Sequence, residues 1–338
     1  MKSLLTPLLP LFLIGFLVCS FASAQTYTPT ALNAGRQVYV AGINNSGTSV
    51  GSAGISPRHA YTWSSNGAVN AVGDLGGKYT YGLAVNNFGQ VVGYSDLAGS
   101  TIAHAFLYTP GVGAQDLGTL GDGNSFANAI NDSAQVVGEV LSTGLHHAFL
   151  WTQSTGMQDL GTLSGGTSSQ ATGINAAGHI VGSSTVADGS WHAFLWTPQN
   201  GMQQIDLGPT TPSFAAAINN LDQVAGTYAN PVDGLGHAFI WDPAAGLHDL
   251  GTLPNHPSGD SLAAALNDSG DVVGIARYPN IRGKISAFSV IWPHGASIQK
   301  LQTLVSPNIG ALPRGATGIN NSGQIVANGS GSWLLTPH

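Results

Sequence analysis

A single block that recurs along the chain restricts its fold more than any other feature. An asparagine that follows an apolar residue occurs seven times, 42 to 53 residues apart, at Asn44, Asn86, Asn131, Asn175, Asn219, Asn267 and Asn320. In the first six copies a glycine follows seven residues later, and in the last copy Ala327 takes its place. A unit of about 44 residues indicates a fold in which one supersecondary motif is repeated against itself.

Within each unit the apolar residues alternate with a period of two, which favours strands over helices. Four strands per unit are predicted from segments such as ATGIN, HIVGSS, HAFLW and MQDLGTL, joined by turns such as NAAG and TQSTG. Four short antiparallel strands at this period are typical of a β-propeller blade. The sequence therefore predicts an all-β fold, a seven-bladed β-propeller of four-stranded antiparallel blades. A parallel β-helix is the main alternative, although its shorter coils would not need two hairpins per unit.

The two ends of the repeat region are complementary. The last unit contains only three strand segments and ends with SWLLTP, whereas TYTPTALNA precedes the first unit and belongs to no copy. An open ring would expose an unpaired strand edge. We therefore predict that the N-terminal segment supplies the outer strand beside the C-terminal strand and closes the ring in a shared blade.

Residues 1–24 have the pattern of a secretory signal peptide. Lys2 precedes an apolar run from Leu8 to Phe21, and Ala22 and Ala24 form an A-x-A cleavage site before Gln25. This run is shorter than the about 20 residues that span a bilayer, so we expect export and no membrane span after cleavage. The one cysteine, Cys19, lies inside the segment. The predicted mature protein, a single domain over 25–338, thus has no disulfide and no thiol nucleophile.

The charge composition restricts the partners. Charged residues are 7% of the chain and the formal net charge is −7. Nucleic acid binding needs clustered cations and is not expected. We expect no cofactor and no metal site, since GDGNS and NDSGD lack the complete spacing of a calcium loop.

The combined pattern HAF.W, G..DLGTLGG and A.AIN..GQVVG resembles the HAF family of extracellular bacterial repeats. The resemblance extends from about Val38 to Ile325, and it weakens in the last two units, where Ser286 and Gly331 replace the histidine and KLQTL replaces DLGTL. It implies secretion and a repeat architecture, and it brings no catalytic residues. The strand order is also similar to that of kelch-type propellers, which is an analogy of fold alone.

Most of the repeated polar and aromatic residues are predicted to be structural. Symmetry-related histidines lie one blade apart and cannot share a metal ion, and symmetry-related aspartates have similar surroundings, unlike an acid/base pair. The histidines are His59, His104, His147, His192 and His237, and the aspartates are Asp74, Asp116, Asp159, Asp206 and Asp249. Phe149 and Trp151 lie on one face of their strand and are expected to be buried between blades, as are their counterparts.

Recognition of one ligand requires residues that depart from the sevenfold pattern. The links between the second and third strands, and between units, vary most and open on one face. The candidate contact residues in these links are His256, Asp260, Arg277, Tyr278, Arg282, Trp191 and Tyr228. Solvated loop variation is the alternative interpretation, and no catalytic residue is assigned.

These observations favour a secreted, non-enzymatic binding protein, expected to be monomeric, that contacts a protein or glycan at the cell envelope or outside the cell. One alternative is a propeller-fold polysaccharide hydrolase or lyase, in which His256 or Tyr278 is the base and Arg282 steadies an anionic sugar. A second alternative is a purely structural cell-surface repeat protein.

Overall fold

The computed structural model describes residues 25–205, 211–254, 256, 258–279, 282–306, 315–329 and 331–338. The predicted signal peptide, 1–24, and Asp206 lie outside these residues. Within the described ranges the chain forms 28 β-strands and one short 3-10 helix, Leu301–Thr303. The all-β prediction is confirmed. No helix among the described residues is long and apolar enough to cross a membrane.

The strands are short and follow one another closely along the chain. The first fourteen are β1 (Tyr27–Ala31), β2 (Tyr39–Ile43), β3 (Ser49–Gly54), β4 (Arg58–Trp63), β5 (Val69–Ala71), β6 (Gly76–Val85), β7 (Val91–Leu97), β8 (Ala103–Thr109), β9 (Gly113–Asp116), β10 (Asn124–Ile130), β11 (Val136–Ser142), β12 (Leu145–Thr152), β13 (Gly156–Asp159) and β14 (Ser169–Ile174). The others are β15 (Ile180–Thr185), β16 (Trp191–Thr197), β17 (Gly201–Gln204), β18 (Ser213–Ile218), β19 (Val224–Ala229), β20 (Gly236–Asp242), β21 (Gly246–Gly251), β22 (Asp260–Leu266), β23 (Val272–Pro279), β24 (Ile285–Trp292), β25 (Gln299–Lys300), β26 (Gly315–Ile319), β27 (Ile325–Asn328) and β28 (Ser332–Pro337).

Consecutive strands pair into antiparallel sheets of four. Four sheets follow chain order, β10 to β13, β14 to β17, β18 to β21 and β22 to β25. Strands β2 to β5 and β6 to β9 repeat this order, and one parallel bridge between Arg58 and Tyr79 joins them into an eight-stranded sheet. The predicted four-stranded antiparallel units are confirmed, and their order is that of β-propeller blades.

The N-terminal strand pairs with the C-terminal strand. In the sheet ordered β1-β28-β27-β26, Tyr27 lies opposite Pro337 and Ala31 opposite Trp333. Pro29 has no N–H to donate to a ladder, which suits the outermost position that β1 occupies. The segment TYTPTA therefore supplies the fourth strand of a sheet that the last repeat leaves one strand short.

The repeated asparagine fixes its own turn and contacts the next sheet. Asn131 Oδ1 accepts hydrogen bonds from the N–H groups of Ser133 and Gln135, while Asn131 Nδ2 donates to Asn175 O at 3.0 Å. The same inter-sheet bond runs in order from Asn44 to Asn86, Asn131, Asn175, Asn219, Asn267 and Asn320, and then from Asn320 to Asn44 O at 2.9 Å. These side chains are buried, and their polar atoms are hydrogen-bonded to backbone groups on two sheets. Burial of the amides is therefore tolerated.

The core lies between neighbouring sheets. The phenylalanines of the HAF segments, Phe106, Phe149, Phe194 and Phe239, are fully buried, as predicted. Phe149 of β12 packs in one cluster with Val92 and Leu107 of the preceding unit. Each such ring buries about 150–250 Å², so these contacts stabilise adjacent sheets against each other.

The repeated glycine allows the first two strands of a unit to approach closely. At Gly138, an ideal Cβ would overlap the carbonyl oxygen of Phe126, beside a register shift between Ala127 and Ala129. Any side chain at this position would separate the strands at the bulge.

Candidate functional site

Antiparallel strand order gives the molecule two distinct faces. Turns that join the first strand of a unit to its second, and the third to the fourth, lie on what we call the hairpin face. Links between the second and third strands, and between units, lie on the loop face. Because β22 begins and β23 ends on the loop face, the candidates His256, Asp260, Arg277, Tyr278 and Arg282 all lie there.

Arg277 and Asp260 form an ion pair across the two strands. Arg277 Nε donates to Asp260 Oδ1 and Arg277 Nη2 donates to Asp260 Oδ2, both at 2.8 Å. The side-chain hydrogen bonds to Asp260 raise the pKa of the Arg277 guanidinium above its usual value. Both side chains are partly exposed, so the pair contributes at most about 1 kcal/mol to folding. Its geometry fixes the position of a positive charge at the surface.

Aromatic rings stack beside this ion pair. The ring of His256 lies 3.5 Å from that of Tyr278 with 10° between their planes, and Phe288 stacks against Tyr278 at 5.2 Å. Lys300 Nζ lies 4.4 Å from the Phe288 centroid and donates to Tyr278 Oη at 3.2 Å. Tyr278 is therefore held between two rings, and a ligand would meet the edges of this stack.

The remaining candidates differ in position. Arg282 is exposed in the link between β23 and β24, next to this cluster in sequence. Trp191 lies on another sheet, where its ring stacks at 6.3 Å from Phe214. Tyr228 is 5% exposed and packs edge-on against Phe239. Burial, followed by the nearby Asp249 carboxylate, raises the pKa of Tyr228 to about 12. Tyr228 is thus a core residue, and its side chain is not available to a surface ligand.

The repeated histidines bind to the outer strand of their own unit. His104, His147 and His237 each place Nδ1 2.9 Å from a carboxylate oxygen of Asp116, Asp159 and Asp249. The other oxygen of Asp159 accepts from the N–H of Gly161, in the turn that follows the strand. In the next unit Gln204 replaces the aspartate, and Gln204 Nε2 donates to His192 Nδ1 at 3.1 Å. These contacts join the histidine to the outer strand of its own unit. They have the structural role that the sequence predicted for the histidines.

Sequence reasoning missed a second group of cations and aromatic rings on the loop face. The Arg58 guanidinium lies 5.6 Å from the Tyr81 centroid, and Lys78 Nζ lies 5.4 Å from the Tyr79 centroid. Tyr79 Oη and Ser56 Oγ are 3.2 Å apart, and this hydrogen bond, together with Lys78, lowers the pKa of Tyr79. The group forms where β4 and β6 meet, so only the pairing of two repeats brings it together.

The charges of the chain are segregated along its length. All sixteen Asp and Glu residues lie between Asp74 and Asp271, and no Lys or Arg occurs between Lys78 and Arg277. Each described Lys or Arg lies on the loop face, in a set that we call the basic arc: Arg36, Arg58, Lys78, Arg277, Arg282, Lys284 and Lys300. The spacing of Lys and Arg in the sequence is the signal that could have revealed this surface.

A cavity of about 250 Å³ opens on the opposite, hairpin face. It is lined by the repeated asparagines, by the apolar residues before them and by the residues after them. The residues after the repeated asparagines are Asn45, Asn87, Asp132, Ala176, Asn220, Asp268 and Asn321, which we call the mouth ring. Burial acts to raise the pKa of Asp268, but hydrogen bonds from Asn220 and Asn321 hold it below its usual value. The carboxylate is therefore ionised at neutral pH.

Comparison with known proteins identifies no family. No family model matches the sequence, and no curated protein matches it. Among solved structures, the chain is similar to a TolB protein from Agrobacterium tumefaciens, with 9% identity, a TM-score of 0.47, and coverage of 67% of this chain and 87% of that one. It is also similar to TolB from Acinetobacter baumannii, with 11% identity, a TM-score of 0.43, and coverage of 86% and 80%. The BP39L lectin from Burkholderia pseudomallei matches with 11% identity, a TM-score of 0.44, and coverage of 91% and 97%. These similarities assign no function.

Proposed function

We propose that the chain is a seven-bladed β-propeller, closed by the pairing of β1 with β28, and that residues 25–338 are one domain secreted after removal of 1–24. Two observations support closure. Strand β1 completes the sheet of β26, β27 and β28, and the inter-sheet hydrogen bonds of the repeated asparagines return from Asn320 to Asn44. Membership of the HAF family stays part of this proposal.

We propose further that the protein is a non-enzymatic binding protein that captures an anionic glycan through the basic arc. The observation that carries this is the segregation of charge, since the described cations share one face and no acidic residue follows Asp271. In ring order the basic arc runs from the sheet of β22 to β25, past the closing sheet, to the junction of β4 and β6. An extended polyanion matches such a surface better than a compact ligand does.

Two lysines of the basic arc are positioned by aromatic rings. Lys300 and Lys78 each lie over an aromatic ring, and such a contact leaves the full positive charge on the ammonium group. Arg277 differs from these two lysines, because Asp260 balances its charge. Binding at exposed cations of this kind weakens as salt screens them, over a Debye length of about 8 Å at 0.15 M ionic strength.

The test measures binding of purified residues 25–338 to uronate-rich, sulfated and neutral polysaccharides by isothermal calorimetry at two salt concentrations. We expect salt-sensitive binding to the acidic polymers alone. Replacement of Arg58, Lys78, Arg282 and Lys284 by Gln should abolish it, whereas the charge-preserving swaps Arg58→Lys, Lys78→Arg, Arg282→Lys and Lys284→Arg should retain it.

Equal binding of neutral polymers, or retained binding in the Gln variant, would overturn the proposal. If the protein captures an acidic protein and no glycan, the partner is an acidic protein and not an anionic glycan. New reducing ends or unsaturated products would instead favour the hydrolase or lyase alternative.

A further inference from the structure

Another cavity, of about 210 Å³, lies on the loop face, where the sheet of β10 to β13 meets the link that precedes it. Leu120 of that link, with Val140 and Leu145 of the sheet, provides its apolar lining. His147 and Asp159 are among the residues that provide its polar lining. The cavity therefore combines apolar side chains with a carboxylate.

Paired strands, and not a long loop, carry most of this lining. A two-residue hairpin with positive φ at both residues joins β11 to β12, so the strands stay paired up to Ser142 and Leu145. Val140 lies opposite His147 in the same ladder. Because side chains alternate between the two faces of a sheet, all four lie on one face. The hairpin thus fixes their positions relative to one another.

Leu120 differs in exposure from the same residue of other units. It ends a DLGTL segment, as Leu163 and Leu253 do, and those two leucines are 6% exposed and belong to the core. Leu120 is 36% exposed and lines the cavity. At the corresponding position of the preceding unit, the segment DLGGK ends in Lys78. An exposed leucine at this position is therefore a departure from the repeat.

The polar groups of the cavity mainly accept hydrogen bonds. Asp159 Oδ1 accepts from the N–H of Gly161, and Asp159 Oδ2 lies 2.9 Å from His147 Nδ1, which leaves a further lone pair on each oxygen. One imidazole N–H is enough for the second contact, so a neutral His147 leaves the carboxylate charge uncancelled. The hydroxyl oxygens of Ser142 and Thr143 are further acceptors in the lining.

The charge near this cavity favours a cation. No Lys or Arg occurs between Lys78 and Arg277 in the sequence, whereas the exposed Asp122 lies in the same link as Leu120. A surface with carboxylates and without cations attracts positively charged ligands and repels anions.

We propose that this cavity binds a small organic cation, a primary ammonium group on a compact aromatic body. The ammonium donates to the Asp159 carboxylate, while the aromatic ring packs on Leu120 and Leu145. An apolar cavity of about 150 Å³ holds benzene, so this cavity has room for a ring with a short chain. The site shares the loop face with the basic arc, but its ligand has the opposite charge, and it does not depend on the proposed function.

The test compares three ligands that share a phenylethyl body: 2-phenylethylamine, the neutral 2-phenylethanol and the anionic 3-phenylpropanoate. Each is added to purified residues 25–338 and followed by calorimetry and by NMR of the histidine rings. We expect the amine to bind about tenfold more tightly than the alcohol, because a hydrogen bond between charged groups replaces a weaker one, and the anion not to bind. The ring signals of His147 should shift with the amine, whereas those of His104 should not.

A pair of variants tests the carboxylate. Asp159→Asn should weaken amine binding about tenfold. The matched control Asp116→Asn changes the same kind of His–Asp pair in the preceding unit and should bind as the unsubstituted protein does. Both variants are expected to fold, because Gln204 beside His192 already places an amide at this position of the repeat.

A second pair tests the apolar lining. Leu145→Ser should weaken amine binding several-fold. Ile102 stands two residues before His104, as Leu145 stands before His147, and it is similarly exposed, so Ile102→Ser is the matched control and should leave binding unchanged.

The proposal is overturned if the amine does not bind, or if the alcohol or the anion binds as tightly as the amine. Equal binding of the amine by the two variants of either pair overturns it as well. Acidic polysaccharides should bind equally to all four variants, so a failure of this site is distinguishable from a failure of the proposed function.

Discussion

Replacing a repeated asparagine by alanine removes few atoms but should lower the free energy of unfolding strongly. Asn131 is 6% exposed and makes four hydrogen bonds: to Gln135 Oε1 and Asn175 O from Nδ2, and from the Ser133 and Gln135 N–H groups to Oδ1. Each bond contributes about 1 kcal/mol net, and a backbone group left unpaired costs about 1–3 kcal/mol. Asn131→Ala should therefore lower the free energy of unfolding by roughly 3–5 kcal/mol.

The matched control is a nearby asparagine with one bond. Asn128 is half-buried in the same sheet, and its Nδ2 donates only to Ala171 O at 2.9 Å. Asn128→Ala should cost about 1 kcal/mol. Urea unfolding of both variants, followed by tryptophan fluorescence, gives the comparison. If Asn131→Ala costs no more than Asn128→Ala, the asparagine bonds between sheets do not stabilise the fold and the reasoning is refuted.

Three further predictions concern the core, the ion pair and acid stability. Phe149→Ala should lower the free energy of unfolding by about 3–5 kcal/mol in urea titrations, and a loss under 1 kcal/mol would contradict the packing described. A double-mutant cycle over Arg277→Ala and Asp260→Ala should give a coupling of at most about 1 kcal/mol, and a larger value would show that the pair is less solvated than its exposure indicates. Because the folded pKa of Asp268 is lowered, its contribution to stability is present above the unfolded pKa of about 3.9 and is lost as pH falls through the folded value. Asp268→Asn should accordingly flatten the decline in unfolding free energy measured between neutral pH and acid, and an unchanged slope would contradict this.

The regular part of the fold could be predicted from the sequence because it is local and repeated. Alternating apolar residues and Asn- and Gly-containing turns recur often enough to define four strands per unit. The incomplete last repeat identified the partner of β1, since only one segment lacked a place. Burial of Phe149 and its counterparts followed from the same alternation.

The departures from regularity could not be predicted in the same way. The pattern DLG suggested Asp206 as the equivalent of Asp159, but the segment GMQQID has two more residues than GMQD, and Gln204 is the residue whose side chain bonds to His192. Tyr228 belongs to a variable segment, yet its ring points into the core beside Phe239. Variability in sequence therefore does not by itself indicate exposure.

Both candidate surfaces arise from contacts between repeats. Arg58 and Tyr79 belong to different units and meet only through the bridge between β4 and β6. The residues after the repeated asparagines were explained by turn chemistry, whereas the structure shows that they are also joined from sheet to sheet, as by the bond from the Ala176 N–H to Asn220 Oδ1. Contacts between residues of different repeats can be identified only from the three-dimensional structure.

The position of β1 also has a consequence for biosynthesis. Its partner β28 lies about 300 residues further along the chain. At about 5–20 residues per second, a ribosome needs roughly 15–60 s to make that stretch, so the first strand stays without its ladder while the other described sheets can already assemble. Nascent molecules therefore pass through a stage in which Tyr27 and the edge of its strand are open to unwanted partners, and the timing of β28 release sets how long this exposure lasts.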